Sequence, residues 1–210
     1  MGKLIRIASV VAVVTAVAAS PAMARMDLEA MLRDNEEWLA SAELLGADGE
    51  VAGSVIVTEL AFPDEGDRAL GVWASVRALE PGFHGFHIHA TGSCEPDAED
   101  PFSSAGGHLD PEGVAHGGHA GDLPSLRARD DGIALAYFII DAFSVDELLD
   151  ADGSAFVVHA GRDNFGNIPE RYGVADDATL GTGDAGPRVA CGVIRPGATA
   201  WVPQRPGSGD

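Results

Sequence analysis

From Ala40 onward the chain is built of short, largely apolar runs separated by turn signals. The runs are Ala40–Leu45, Val51–Leu60 after Asp48-Gly49, Ala69–Leu79, His84–His89, Ile133–Asp141 after Asp131-Gly132, Ala155–His159 and Arg188–Ile194. Several alternate apolar with polar or small residues, the period of half-buried antiparallel strands. A succession of such strands predicts an all-β sandwich.

The two ends read differently. Residues 1–24 carry Lys3 and Arg6, an apolar stretch from Ile7 to Ala19, and Ala22-Met-Ala24 as a small-residue cleavage site. That is the layout of a secretory signal peptide, too short and wrongly flanked for a spanning helix, and the export it implies is to the periplasm. Residues 25–39 form an N-terminal extension. Leu28, Met31, Leu32 and Trp38-Leu39 lie among acids there, which suits either a short amphipathic helix or a strap over the barrel mouth. Residues 196–210, rich in Pro and Gly, are expected to be a flexible tail. What remains, 40–195, is the size of one domain with a good core.

Charge narrows the partners. The formal net charge is −20, and losing Lys3 and Arg6 on export makes the chain more acidic and free of lysine. Such a balance argues against nucleic acid and anionic membranes as partners. It also sets an overall field that repels an anionic substrate, unless local arginines offset it.

Candidate chemistry lies in the histidines. Six of the seven form an ordered set: His87-Ile-His89, Gly107-His108, His116-Gly-Gly-His119-Ala-Gly-Asp122 and Val158-His159. In an extended strand His87 and His89 project to one side and can converge on one ion. The segment from Gly106 to Asp122 is dense in glycine without clear period, and reads as a loop. Imidazoles with a carboxylate suit divalent zinc and copper. A blue-copper site would need a Cys and an axial Met, which this pattern does not offer. Gly181-Thr-Gly183-Asp-Ala-Gly186 matches a dinucleotide fingerprint in letters only, since a strand follows where a helix is needed. Asp150-Ala-Asp-Gly153 reads as a plain turn.

Gly85-Phe-His-Ile-His89, Ser104-Ala-Gly-Gly-His108, His119-Ala-Gly-Asp-Leu123, Val157-Val-His-Ala160 and Arg188-Val-Ala-Cys-Gly-Val-Ile194, in that order, resemble the copper/zinc superoxide dismutase family. The resemblance runs from about Ala40 to Ile194. It implies a Greek-key β-sandwich or barrel with long metal-binding and electrostatic loops. It implies His87, His89, His108 and His159 as copper ligands and His108, His116, His119 and Asp122 as zinc ligands, with His108 bridging the two ions. Asp163 matches a carboxylate that links His87 to His116 and fixes their rings. Arg188 matches the arginine that receives the anion beside copper, and Thr182 a threonine that narrows the same channel. Arg162 and Arg171 fall in or beside the loop that would form one wall. His84 matches no ligand and is expected to make a structural hydrogen bond.

The family carries a disulfide at the positions of Cys94 and Cys191. Export to an oxidising space makes that pair plausible, and two cysteines allow one pairing. The implied activity is disproportionation of superoxide by copper redox cycling. A reading from another class is a periplasmic metal-binding or delivery module on the same fold, and a nearer one is a copper-only dismutase. Monomer and homodimer both stay open. One departure from the family stands out: only Gly117-Gly118 separates His116 from His119, where a longer loop is usual. Glycine permits so tight a turn, so both glycines are expected to be needed.

Overall fold

The computed structural model describes residues 38–61, 68–96 and 99–197. The expected signal peptide, the expected extension up to residue 37 and the expected tail beyond residue 197 lie outside the described residues. Trp38 and Leu39, expected to belong to the extension, instead open the first strand, and Pro196, expected to open the tail, is in the last.

The strands are β1 (Trp38–Gly46), β2 (Val51–Ala61), β3 (Arg68–Val76), β4 (Gly82–His89), β5 (Asp122–Ala128), β6 (Ala134–Ile140), β7 (Ala155–His159), β8 (Arg188–Val193) and β9 (Arg195–Pro196). All pairings are antiparallel, in the order β5-β4-β7-β8-β1-β2-β3-β6, with β9 beside β1. β5 and β6 follow each other in the chain and pack together without pairing, so the sheet curls into a barrel with one seam not hydrogen-bonded. β3 pairs with β6 and β4 with β7, so the connections from β3 to β4 and from β6 to β7 skip neighbours. This is a Greek-key all-β barrel.

Alternation decides what lies inside. In β1, Ala40, Ala42 and Leu44 are buried in the core, while Glu43 faces out. In β4 and β7 the inward residues Phe86, Ile88, Phe156 and Val158 join that core. Phe86 and Phe156 stack at 5.5 Å between ring centroids. Full burial of each contributes roughly 1.5–3 kcal/mol. The outer faces of these two strands are buried as well: His87 is opposite Val157 and His89 opposite Ala155. Phe102 and Ala105, from the segment between β4 and β5, form a second apolar cluster there with Ala155, Val157 and Cys191. The site is therefore built on the outside of the barrel wall and roofed by loops.

β5 was not among the expected strands. It pairs with β4 through a register shift in which Pro124 and Ser125 stand opposite Gly85. That bulge spaces the buried Leu123 and Leu126 by three and breaks the period of two. A proline is tolerated because β5 is a sheet edge.

Candidate metal centre

Strands place the first group of ligands. His87 and His89 leave β4 on its outer face, His159 ends β7, and His108 makes an isolated bridge with His89. Each ring is anchored through one nitrogen. His89 Nδ1 bonds Gly106 O at 2.9 Å, His159 Nδ1 bonds Gly186 O at 2.8 Å and His87 Nε2 bonds Asp163 Oδ2 at 2.7 Å. A carbonyl or carboxylate can only accept, so these nitrogens carry the protons. The opposite atoms, His87 Nδ1, His89 Nε2 and His159 Nε2, together with His108 Nε2, are buried with no hydrogen-bond partner. The four residues offer ligand atoms that lie within 4.8 Å of one another. Four convergent, unsatisfied lone pairs in a buried site are costly unless a cation takes them. Burial also keeps the rings neutral: it pushes His89 down to about 2, His159 to about 3 and His108 to about 4. An imidazole donor set of this kind suits copper.

Loops place the second group. His108 Nδ1 lies 2.8 Å from Asp122 Oδ1, His116 Nδ1 3.1 Å and His119 Nδ1 3.2 Å, and His119 Nδ1 is 3.3 Å from His108 Nδ1. A tetrahedron with metal–ligand bonds of about 2.0–2.1 Å has edges of about 3.3 Å, so these separations are those of a slightly contracted zinc cage. By distance alone His87 also falls with His108, His116 and Asp122. Its Nε2 is held by Asp163 and its Nδ1 has no partner, whereas His119 Nδ1 stands 3.2 Å from Asp122 Oδ1 and 3.3 Å from His108 Nδ1, which makes His119 the candidate for the fourth position. Asp122 is aimed by its other oxygen, which accepts from Gly117 N at 2.7 Å and His119 N at 3.0 Å.

The two glycines of this turn differ. Gly117 has φ +87°, and a Cβ there would collide with the Phe165 carbonyl, leaving no room for a side chain. Gly118 has an ordinary φ, and a Cβ there would stand 3.2 Å from Ala115 O, a tight contact but an accommodable one. The strict requirement expected of both falls on Gly117.

Asp163 joins the groups. Its Oδ1 accepts from His116 Nε2 at 2.8 Å and from Phe165 N at 2.7 Å, while Oδ2 holds His87. Burial opposes the charge of His116, yet the hydrogen bonds and charges of Asp122 and Asp163 override it and raise this ring to about 9. In the same way burial opposes both carboxylates, and their histidine partners hold them well below the usual range. His116 Nδ1, 3.1 Å from Asp122 Oδ1, is buried without a hydrogen-bond partner, as are the four nitrogens of the first cage.

Around the cages, Arg188 faces His159 across β7 and β8 and donates to Phe102 O and to Gly106 O, the latter at 2.6 Å. Gly106 O also anchors His89, so arginine and ligand share one carbonyl. Cys94 and Cys191 are bonded, with Cα atoms 5.7 Å apart, which ties the segment carrying Phe102 and Gly106 to β8. Thr182 is exposed at the end of the short helix Asp177–Thr182, its hydroxyl donating to Ala178 O at 2.9 Å. Arg162 and Arg171 stand over the rings of Phe83 and Tyr172, while the charge of Arg188 acts on His89 and His159. His84 bonds His159 O and Glu80 O, each at 2.8 Å. Asp110, which the sequence pattern does not single out although it follows His108 by two residues, has its carboxylate 3.9 Å from His119 Nε2. The anchoring carbonyls of Gly106 and Gly186 carry no side-chain signal at all.

A Greek-key barrel bearing two histidine cages that share one imidazole defines a dinuclear metalloprotein. The chain belongs to the copper/zinc superoxide dismutase family, whose profile matches residues 51–194. A superoxide dismutase [Cu-Zn] of Mycobacterium tuberculosis is 48% identical over 136 residues, 58% of this chain and 57% of the relative. One from Escherichia coli K12 is 40% identical over 158 residues, covering 70% of this chain and 80% of the relative. The solved structure of a SOD-like protein from Bacillus subtilis is 32% identical with TM-score 0.56, over 73% of this chain and 96% of that one. The chain thus spans little more than half the length of the mycobacterial relative.

Proposed function

We propose that this chain is an exported, periplasmic superoxide dismutase, with copper held by His87, His89, His108 and His159 and zinc by His108, His116, His119 and Asp122. The observation that carries the reading is the sharing of His108, whose Nδ1 belongs to the second cage while its buried Nε2 faces the first without a partner. Copper, when bound, supplies a centre that is alternately reduced and reoxidised, so that two superoxide ions and two protons yield dioxygen and hydrogen peroxide.

The protein's own part is positional and electrostatic. Gly106, Gly186 and Asp163 fix the tautomers of His89, His159 and His87, and Asp122 that of His108, so that four nitrogens are left free for the ion. Arg188, aimed by two carbonyls, supplies fixed positive charge for an incoming anion beside His89 and His159. His108 Nε2 has one lone pair, so it can hold a proton for the reduced oxygen species only while it does not ligate copper. The signal-peptide pattern of residues 1–24 supports export, and so does the Cys94–Cys191 bond, which persists in oxidising compartments.

The test is superoxide loss followed by rapid mixing with protein loaded with both metals. Rapid, copper-dependent loss is expected. Tight binding of both metals without turnover would reduce the chain to a metal-binding module.

A further inference from the structure

Asp163 can hold His87 and His116 together only if its own turn is held, and the means of holding it lies twenty residues further along the chain. Asn164 is tied four ways, one of them the bond its carbonyl accepts from Asn167 N at 3.0 Å. Its N–H donates to Gly183 O at 2.9 Å, its side-chain oxygen accepts from Gly166 N at 2.8 Å, and its amide nitrogen donates to Asp184 Oδ2. The same Asp184 oxygen accepts from the hydroxyl of the buried Thr179 at 2.6 Å. Asp184 has φ +55°, in the left-handed region that residues other than glycine seldom adopt. Immediately before it Gly183, at φ +62°, lies so close over Asp163 Oδ1 and His116 Nε2 that a methyl group could not fit.

We infer that Asp184 is a positioning residue for the metal centre. Its carboxylate clasps Asn164 to Thr179 and so presses the Gly183 backbone over the Asp163–His116 hydrogen bond. It touches neither cage. It acts through Asp163, and its effect falls first on the loop-borne cage, where His116 has no strand to hold it. The inference rests on reading that cage as the zinc site. Nothing in the local sequence marks the residue, because an aspartate in a Gly-Asp-Ala-Gly stretch reads as an ordinary turn former.

The test uses the full-length, copper-loaded protein titrated with zinc against a competing chelator. Outer partners of metal ligands are worth about 10–100-fold in metal affinity, and one step further out the low end applies, so D184A is expected to hold zinc about tenfold more weakly. D184N, whose side-chain oxygen can accept from both donors and whose residue type tolerates positive φ, is expected to stay close to wild type. Hydrogen exchange at the Phe165 and Gly166 amides should speed up in D184A and not in D184N. Zinc affinity in D184A equal to wild type would overturn the clasp, and so would a D184N as weak as D184A. If D184A does not fold, T179V removes one donor at nearly constant shape, and unchanged zinc affinity there overturns the inference equally. A wild type that takes up copper but no zinc would overturn the reading of the cage itself, before any variant is made.

Discussion

The two cages share a histidine and differ in almost everything else. In the first, His87, His89 and His159 are strand residues whose direction follows from alternation and whose second nitrogens are anchored mainly by backbone carbonyls. In the second, His108, His116 and His119 sit outside the strands and Asp122 only begins one, so direction comes from a tight glycine turn, two backbone N–H groups on Asp122 and the Asp163 bridge. Their metal-free charge states differ too. Burial keeps His89, His108 and His159 neutral and ready to ligate, whereas His116 is driven towards its charged form by two carboxylates. A cage made by the barrel is preorganised. One made by loops has to be held.

The largest expected effect breaks the sharing. His108→Ala removes a donor from both cages, so purified protein should lose zinc and copper occupancy together, while His159→Ala should lose copper and keep zinc. Elemental analysis of the two variants decides this. If both lose copper alone, the two cages do not share His108.

Next comes the loop-borne cage alone. Gly117→Val forces a β-branched residue into positive φ against the Phe165 carbonyl, and should remove most zinc while copper still loads. Gly118→Ala should lose much less, because its backbone is ordinary and its one close neighbour is the Ala115 carbonyl at 3.2 Å. Equal losses in metal content would show that chain stiffness, and not the approach of Phe165, limits the turn.

How much of this was legible in the sequence follows the same division. The strand-borne ligands announce themselves, because His87 and His89 two apart in an apolar run can only share a face. The barrel was legible for the same reason, apart from β5, where Pro124 and the bulge erase alternation, and the two-residue β9, too short to show any. Partners that act through backbone were not legible. Gly106 O and Gly186 O orient two ligands with no side chain to reveal them. Asp163 was found through the family pattern, whereas Asp184, which no spacing or motif marks, required the folded loop.

A smaller effect sharpens the contrast on the strand-borne side. Arg188 contributes charge near His89 and His159 in a chain whose net charge is −20. Glutamate there would set a carboxylate against the Phe102 and Gly106 carbonyls and disturb His89, so Arg188→Gln is the cleaner probe. It keeps a donor and loses the charge. kcat/KM for superoxide should fall by at least about tenfold, the lower range of steering effects, with zinc and copper contents unchanged. A fall in copper content would mean that the shared Gly106 carbonyl, and not the charge, is what the arginine serves.

The smallest expected effect is in the metal-free protein, where the charge difference between cages sets the pH dependence of stability. His89, His159 and His108 have folded pKa values near 2, 3 and 4 against an ordinary 6.5, so between those values the unfolded chain binds more protons and stability rises with pH up to about 6.5. Asp122 and Asp163, both depressed, add a loss at lower pH as they are protonated. His116 runs the other way: raised to about 9, it contributes fully below 6.5 and loses that contribution as pH climbs towards 9. The melting temperature of the metal-free protein should therefore peak near pH 6.5. Three imidazoles act on the acid limb between about pH 4 and 6.5 and one on the alkaline limb, so the acid limb should be about three times steeper in protons released or bound. Loading zinc should flatten the alkaline limb, since a ligated His116 no longer exchanges its proton for the ion's charge over that range, and uptake near pH 7.5 should release about one proton, measurable by calorimetry in buffers of different ionisation enthalpy. A metal-free stability that keeps rising from pH 6.5 to 9 would show that His116 is neutral, and that the loop-borne cage is as ready for its ion as the strand-borne one.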